Sequence, residues 1–298
     1  MSQQNLHRGV VVGVDGSESA QIAVRWAARE AAMRHEPLSI VHVLPALPVA
    51  ASALAWPAGR VPEEVLEIQE SEGRGFIADA TRTARESVGD KELDVAGELF
   101  IGAPVQALSE LSTDAKMLVV ASQGRSKRHR PLLGSVSTGV LYHARCSVAV
   151  IHEEAESPQR AHLPVLVGID GSAVSESAIA IAFDEASWRS VDLLALHVWS
   201  DADMPWLPSL ETSAQQRVAE ETLAERLAGW QEKYPDVTVR RIVRYDRPAQ
   251  QLLEESGRAQ LVVVGNRGRG GFAGMLLGSV SAAVSREARI PVIVARQR

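Results

Sequence analysis

Two glycine-rich stretches carry the residue types that could do chemistry. "VVVGNRGRGGFAGMLLGSVS", Val262 to Ser281, leaves an apolar run, crosses glycines 265, 268, 270, 271, 274 and 278, and reaches a helix-like start at Ser279. "VVASQGRSKRHRPLLGSVS", Val119 to Ser137, repeats the arrangement 144 residues earlier. Glycine accepts positive φ and lets a backbone approach a ligand without a Cβ in the way. Gly134-Ser135 and Gly278-Ser279 open helices, whose free N–H groups and positive dipole ends attract an anion. Arg267 and Arg269 in one loop, and Arg125, Lys127, Arg128 and Arg130 in the other, place cations beside it. Together these ingredients describe a cradle for a polyphosphate. The competing reading is a mobile glycine-rich surface loop. The same spacing in the same context twice argues against it. No G-x-x-x-x-G-K-[ST] loop occurs. A dinucleotide fingerprint would follow the first strand, where "VDGSES" stands instead.

The loops need a scaffold, and the rest of the chain supplies the same scaffold twice. "VVVGVDGSESAQIAVRWAAREAA" at 10–32 matches "VLVGIDGSAVSESAIAIAFDEAS" at 165–187. Asp15 pairs with Asp170 and His42 with His197 at an offset of 155, while the glycine loops pair at 144. The first copy therefore holds 155 − 144 = 11 extra residues, best placed in the Ala/Pro-rich stretch "PALPVAASALAWPAGRVPEE". In copy 1 the patterns predict strands at about 10–14, 38–43, 93–100, 116–121 and 147–151, with helices at 18–35, 63–88, 103–113 and 135–144. The strand runs are nearly continuous aliphatics, as strands covered on both faces read. Strand–helix alternation implies a parallel sheet with right-handed crossovers. Ligands then bind outside the carboxyl ends of the strands, at the switch point of strand order. The loops after strands 1 and 4 are the candidates, and "DGS" and the glycine loop stand there. The expected domains are 1–152 and 164–298, joined by a charged, proline-containing linker at 153–163.

Composition bounds the classes. Hydrophobic residues make up 46% and charged residues 23% of the 298, as in a globular protein with a real core. A net charge of −6 argues against bulk nucleic-acid or anionic-membrane binding, leaving room for a local basic site. The single cysteine, Cys146, excludes an intramolecular disulfide framework and fits a reducing, cytoplasmic setting. The opening "MSQQNLHRGV" lacks the apolar core of a signal peptide. The stretch 37–59 carries no formal charge, but Pro45, Pro48 and Pro57 would interrupt a membrane helix, so it reads as a buried strand followed by a loop. His42 and His197 lie in apolar strands with no acid or nucleophile beside them in sequence, which favours a structural over a titrating role. Cys146 reads as a small core residue. Asp15 has an alternative reading as the N-cap of the first helix. "RSKRHR", 125–130, could contact nucleic acid, against the acidic balance of the chain.

Gly265, Gly268, Gly278 and Ser279 satisfy the spacing G-x2-G-x9-G-[ST], and copy 1 keeps Gly124, Gly134 and Ser135 but has Ala121 first. With "VGVDGS" and "VGIDGS" at the openings and "HV" at the second strands, the whole chain resembles the universal stress protein family, in its tandem-domain ATP-binding type. The resemblance implies an α/β fold of two Rossmann-like domains (adenine nucleotide alpha hydrolase-like), each a five-stranded parallel sheet flanked by helices. It implies ATP as ligand, with Mg as an accompanying ion without assigned ligands. Asp15 and Asp170 inherit the place beside the nucleoside, with Gly13 and Gly168 beneath. Val43 and Val198 inherit the main-chain contact to the adenine edge. The loop residues Ala121, Ser122, Gly124, Arg125, Gly134, Ser135, Val136 and Ser137 inherit ribose and phosphates in copy 1. Gly265, Asn266, Arg267, Gly268, Arg269, Gly278, Ser279, Val280 and Ser281 do so in copy 2. The resemblance further implies a homodimer and an unidentified regulatory partner. The leading expectation is a nucleotide-dependent regulatory module for stress response, not an enzyme. A slow ATP hydrolase or nucleotidyl-transfer enzyme is the alternative, and nucleic-acid binding ranks third.

Overall fold

A computed structural model of the chain describes residues 9–45, 62–124, 133–199, 212–268 and 276–297. Its contacts divide the chain into two compact units, Met1–Ile151 and His152–Arg298.

The first unit runs β1 (Val10–Val14), α1 (Glu18–Arg34), β2 (Leu38–Pro45), α2 (Glu63–Val88), β3 (Val95–Gly102), α3 (Pro104–Leu111), β4 (Met117–Ala121), α4 (Ser135–His143) and β5 (Ser147–Ile151). Its sheet has the order β3-β2-β1-β4-β5, with every neighbouring pair parallel. The strand order reverses between β1 and β4. Right-handed crossovers therefore put α1 and α2 on one face and α3 and α4 on the other, and each of those helix pairs packs together. Covered on both faces, β1, β4 and β5 are almost wholly buried, and apart from Gly13, Met117 and Ser147 they are aliphatic. This is the sequence pattern that named them.

Helix ends follow local chemistry. Ser17 caps α1 by accepting the Ala20 N–H at 3.1 Å. At the other end His35 takes φ 54° and returns its N–H to the carbonyls of α1's last turn, so the helix stops one residue before the expected boundary. Pro104 at the first position starts α3, where its missing N–H is no loss. The Ala/Pro-rich stretch expected as a loop, 46–61, lies outside the described residues.

The second unit repeats the plan with β6 (Val165–Ile169), α5 (Ala173–Arg189), β7 (Leu193–Trp199), α6 (Thr212–Lys233), β8 (Val239–Tyr245), α7 (Pro248–Ser256), β9 (Leu261–Gly265), α8 (Ser279–Glu287) and β10 (Val292–Ala295). Its sheet order is β10-β9-β6-β7-β8, again all parallel. The segment 153–163 contains two short 3₁₀ turns, Glu153–Glu156 and Pro158–Arg160. Arg160 donates to the Gly257 and Ala259 carbonyls, and Gln260 donates to those of Ala161 and Leu163. The charged stretch is thus docked on α7 and the entry to β9. Among the described residues no helix is long and apolar enough to cross a membrane.

Candidate functional site

In each unit the strand order reverses where two segments meet, the turn after the first strand and the glycine loop after the fourth. β1 ends at Val14. Asp15 follows, Gly16 takes φ 80°, and Ser17 caps α1. A side chain at Gly16 would be strained by that φ, and its Cβ would stand 2.5 Å from the Phe76 ring of α2. Asp15 Oδ1 accepts the Ser17 N–H at 3.0 Å, which closes the turn. Unit 2 reproduces the turn, with Gly171 at φ 77° and Asp170 Oδ1 accepting the Ser172 N–H at 2.9 Å. The N-cap of each helix is the serine. The aspartate instead holds the serine's N–H.

The other carboxylate oxygen faces the glycine loop. A Cβ on Gly124 would stand 2.5 Å from Asp15 Oδ2, and one on Gly268 would stand 2.6 Å from Asp170 Oδ2. Real Cβ atoms do not come that close. The second signature position of each loop is therefore a glycine because the aspartate after the first strand lies against it. The loops are also closed at their base. Gly134 N–H donates to the Ser122 carbonyl at 2.8 Å, and Gly278 N–H donates to the Asn266 carbonyl at 2.7 Å. Ser137 Oγ donates to the Ala121 carbonyl at 2.6 Å, and Ser281 Oγ donates to the Gly265 carbonyl at 2.5 Å. These two hydroxyls are buried and tie the first turn of α4 and α8 to the strand that precedes the loop. Ser135 and Ser279, two residues earlier, are exposed. Neither helix has a side-chain cap at its glycine N-cap, since glycine offers no acceptor to the first N–H groups.

Residues named from sequence fall into groups. Asp15, Gly124, Gly134 and Ser135 converge at the carboxyl edge of the first sheet, and Asp170, Gly268, Gly278 and Ser279 at that of the second. Ser122 and Asn266 are buried, with backbone groups spent on Ile151, Gly134, Ala295 and Gly278. Val136 and Val280 lie in the first helical turns, and Arg267 is exposed. Val43 and Val198 lie one residue beyond the last partners of β1 and β6. β1 stops pairing at Val14↔His42, whereas β2 continues along β3 to Pro45↔Gly102. β6 stops at Ile169↔His197 and β7 continues along β8 to Trp199↔Tyr245. Val43 and Val198 thus have no register partner of their own in β1 or β6. Gly13 and Gly168 face elsewhere, since a Cβ there would meet Leu108 or Leu252 side chains at 3.1 Å. They let α3 and α7 close on the sheet. Arg125, Arg269 and the basic run 127–130 lie outside the described residues.

Two features were not read from sequence. Glycines 124, 134, 265, 268 and 278 are not in the left-handed region, where the described glycines are 16, 89, 102 and 171. The loop glycines provide room, and the positive φ sits in the "DGS" turn, for which the Asp-Gly dipeptide was the available signal. Gly265 makes room for the protein itself, because a Cβ there would meet Val174 Cγ1 at 3.1 Å and the Arg267 carbonyl at 3.2 Å. The second feature is His42, whose Nδ1 lies 2.7 Å from the Val14 carbonyl, and His197, at the same distance from that of Ile169. Among the described residues no group of three His, Cys, Asp or Glu could hold a metal ion.

Comparisons with known proteins agree on one family. The model of the universal stress protein family matches residues 7–152 and again 163–296. Universal stress protein Rv2005c of Mycobacterium tuberculosis is 54% identical over 299 residues, covering 100% of both chains. Universal stress protein Rv2623 of the same species is 49% identical and covers 100% of this chain and 99% of its own. The crystal structure of a universal stress protein from Archaeoglobus fulgidus DSM 4304 superposes with a TM-score of 0.70 over 98% of this chain and 97% of that one, at 20% identity, a likeness of fold.

Proposed function

The chain belongs to the universal stress protein family, and from that premise we propose that it binds ATP at the carboxyl edge of each sheet and works as a nucleotide-dependent regulatory module of a stress response, not as an enzyme. The observation that carries the reading is the convergence, in both units, of one aspartate oxygen on a loop glycine beside a helix start with no side-chain cap. The residues fit a polyphosphate. The first N–H groups of α4 and α8 point outward at a positive dipole end, Ser135 and Ser279 are exposed there, and the glycines keep Cβ atoms out of the approach. The main-chain edge at Val43 and Val198, just past the ends of β1 and β6, is where a base edge would be read. Asp15 and Asp170, each with one oxygen fixed on a serine N–H, present the other toward the nucleoside. In the regulatory reading the bound nucleotide sets which partner, or which second copy of the chain, the protein engages from the cytoplasm. The domains are 1–152 and 164–298, with 153–163 between them.

Non-enzymatic action is supported by how the polar groups are committed. His42 and His197 spend Nδ1 on main-chain carbonyls, and Ser137 and Ser281 spend their hydroxyls on strand carbonyls. The test is mass spectrometry of the small molecules released on denaturing the purified protein, paired with calorimetry against ATP and a turnover assay. Adenine nucleotide released at near-stoichiometric amounts, with turnover slower than nucleotide exchange, is the expected result. No nucleotide after extraction and no heat at millimolar ATP would overturn the reading. Rapid release of ADP would replace it with the hydrolase.

A further inference from the structure

We propose that His42 and His197 are positioning residues: each holds the last carbonyl of its unit's first strand, and through it the aspartate that follows, in the geometry that receives the nucleotide. The proposal rests on the nucleotide reading above.

An imidazole in a largely apolar, buried strand is costly unless its polar atoms are bonded. Here the bond reaches across the sheet to a residue 28 positions away, and it repeats at 2.7 Å in both units. A carbonyl oxygen only accepts, so Nδ1 carries a proton and donates it. The acceptors are Val14 and Ile169, where the strand ladder ends and the chain swings into the turn. Asp15 is then fixed on both sides. Behind it the Val14 carbonyl is held by His42. Ahead of it Gly16 lies under the Phe76 ring and the Ser17 N–H is taken by Oδ1. The ring of His42 is itself set by α2. Phe76 meets it edge-on with centroids 5.3 Å apart and an interplanar angle of 83°. Gly73 leaves it room, since a Cβ there would stand 2.9 Å from His42 Cδ2. Every link from α2 through the ring to the strand end is a packed or hydrogen-bonded contact. Its terminus is the carboxylate whose Oδ2 faces the loop.

The test uses the full chain carrying Asp170→Ala, so that calorimetry with ATP reads the first unit alone. His42→Phe keeps a ring and removes the donor, while His42→Asn keeps an N–H donor at the position of Nδ1. The expected result is affinity about tenfold weaker for His42→Phe and within about threefold of the parent for His42→Asn. His197→Phe and His197→Asn in Asp15→Ala repeat the test in the second unit. Amide exchange at Ser17, read without nucleotide, should speed up in His42→Phe and stay unchanged in His42→Asn. A Phe variant that melts earlier yet binds ATP and exchanges Ser17 like its parent would overturn the proposal, as would an Asn variant no better than Phe. A parent that binds no ATP overturns the nucleotide reading instead, and the exchange data then decide the histidine's part alone.

Discussion

At the scale of single residues, the site turns on one carboxylate with two jobs. Asp15 Oδ1 closes the turn on Ser17 and Oδ2 lies against Gly124. Removing both oxygens should therefore show in the ligand-free protein, in contrast to an aspartate that serves the ligand only. Asp15→Ala is expected to lower stability by about 1 kcal/mol through the lost turn bond, and to weaken ATP at the first site by about ten- to hundredfold. Asp15→Asn keeps an acceptor for Ser17, so its urea midpoint should stay near that of the parent while its ATP affinity falls. Urea denaturation beside calorimetry separates the two. Equal stability loss in both variants would place the charge, and not the acceptor, in the turn. Gly124→Ala forces the carboxylate away from its place, since the added methyl and Oδ2 cannot share it. It should weaken ATP by about tenfold, and adding it to Asp15→Ala should cost little more, because residues acting through one contact are not additive.

At the scale of elements, the two units differ where the fourth strand leaves for its loop. A methyl at this place, as on Ala121, could crowd a ligand or strain a turn. Neither explanation matches Gly265, which is extended and faces Val174 in the first turn of α5. The residue at the same place in α1, by the offset of 155, is Ser19. A larger helix residue stands with a glycine, and a smaller one with an alanine. Gly265→Ala should then destabilise the second unit by roughly 1–3 kcal/mol through overpacking. Adding Val174→Ser should recover most of it. Ala121→Gly should leave ATP affinity at the first site within about twofold. A denaturation double-mutant cycle on 174 and 265 checks the first two, and zero coupling energy between them would sink the explanation. The buried hydroxyls of Ser137 and Ser281 are a second device at this scale. Each pins a helix start to the strand before its loop, and Ser137→Ala leaves the Ala121 carbonyl without that donor. The expected loss is about 1–3 kcal/mol, read as an earlier urea midpoint.

At the scale of the whole molecule, a chain with the proposed site in each unit should bind two nucleotides. Calorimetry is expected to give two ATP per chain, one of them at the parent affinity in either Asp15→Ala or Asp170→Ala, and none at that affinity in the double variant. Saturating ATP at a hundredfold over its Kd should raise unfolding free energy by about 2.7 kcal/mol per occupied site, since only the folded state binds. A stoichiometry of one in the unmutated chain would mean that one cradle is not a site. Sequence alone determined the duplication, the strand and helix alternation, the parallel sheet and the two places where a ligand could sit. Those features rest on short-range periodicity and on glycine and proline chemistry, which a linear reading can follow. Only the tertiary structure decided what each small or polar residue is for. Gly124 meets an aspartate 109 positions earlier, Gly265 meets a helix from the start of its unit, and Ser137 turns back on Ala121. His42 reaches the Val14 carbonyl. These pairings depend on strand register, where a slip of one residue would send each side chain to the opposite face. A glycine in sequence does not say whether it supplies a positive φ or only room, because its own backbone permits both. That choice is made by the neighbour that folding brings against it.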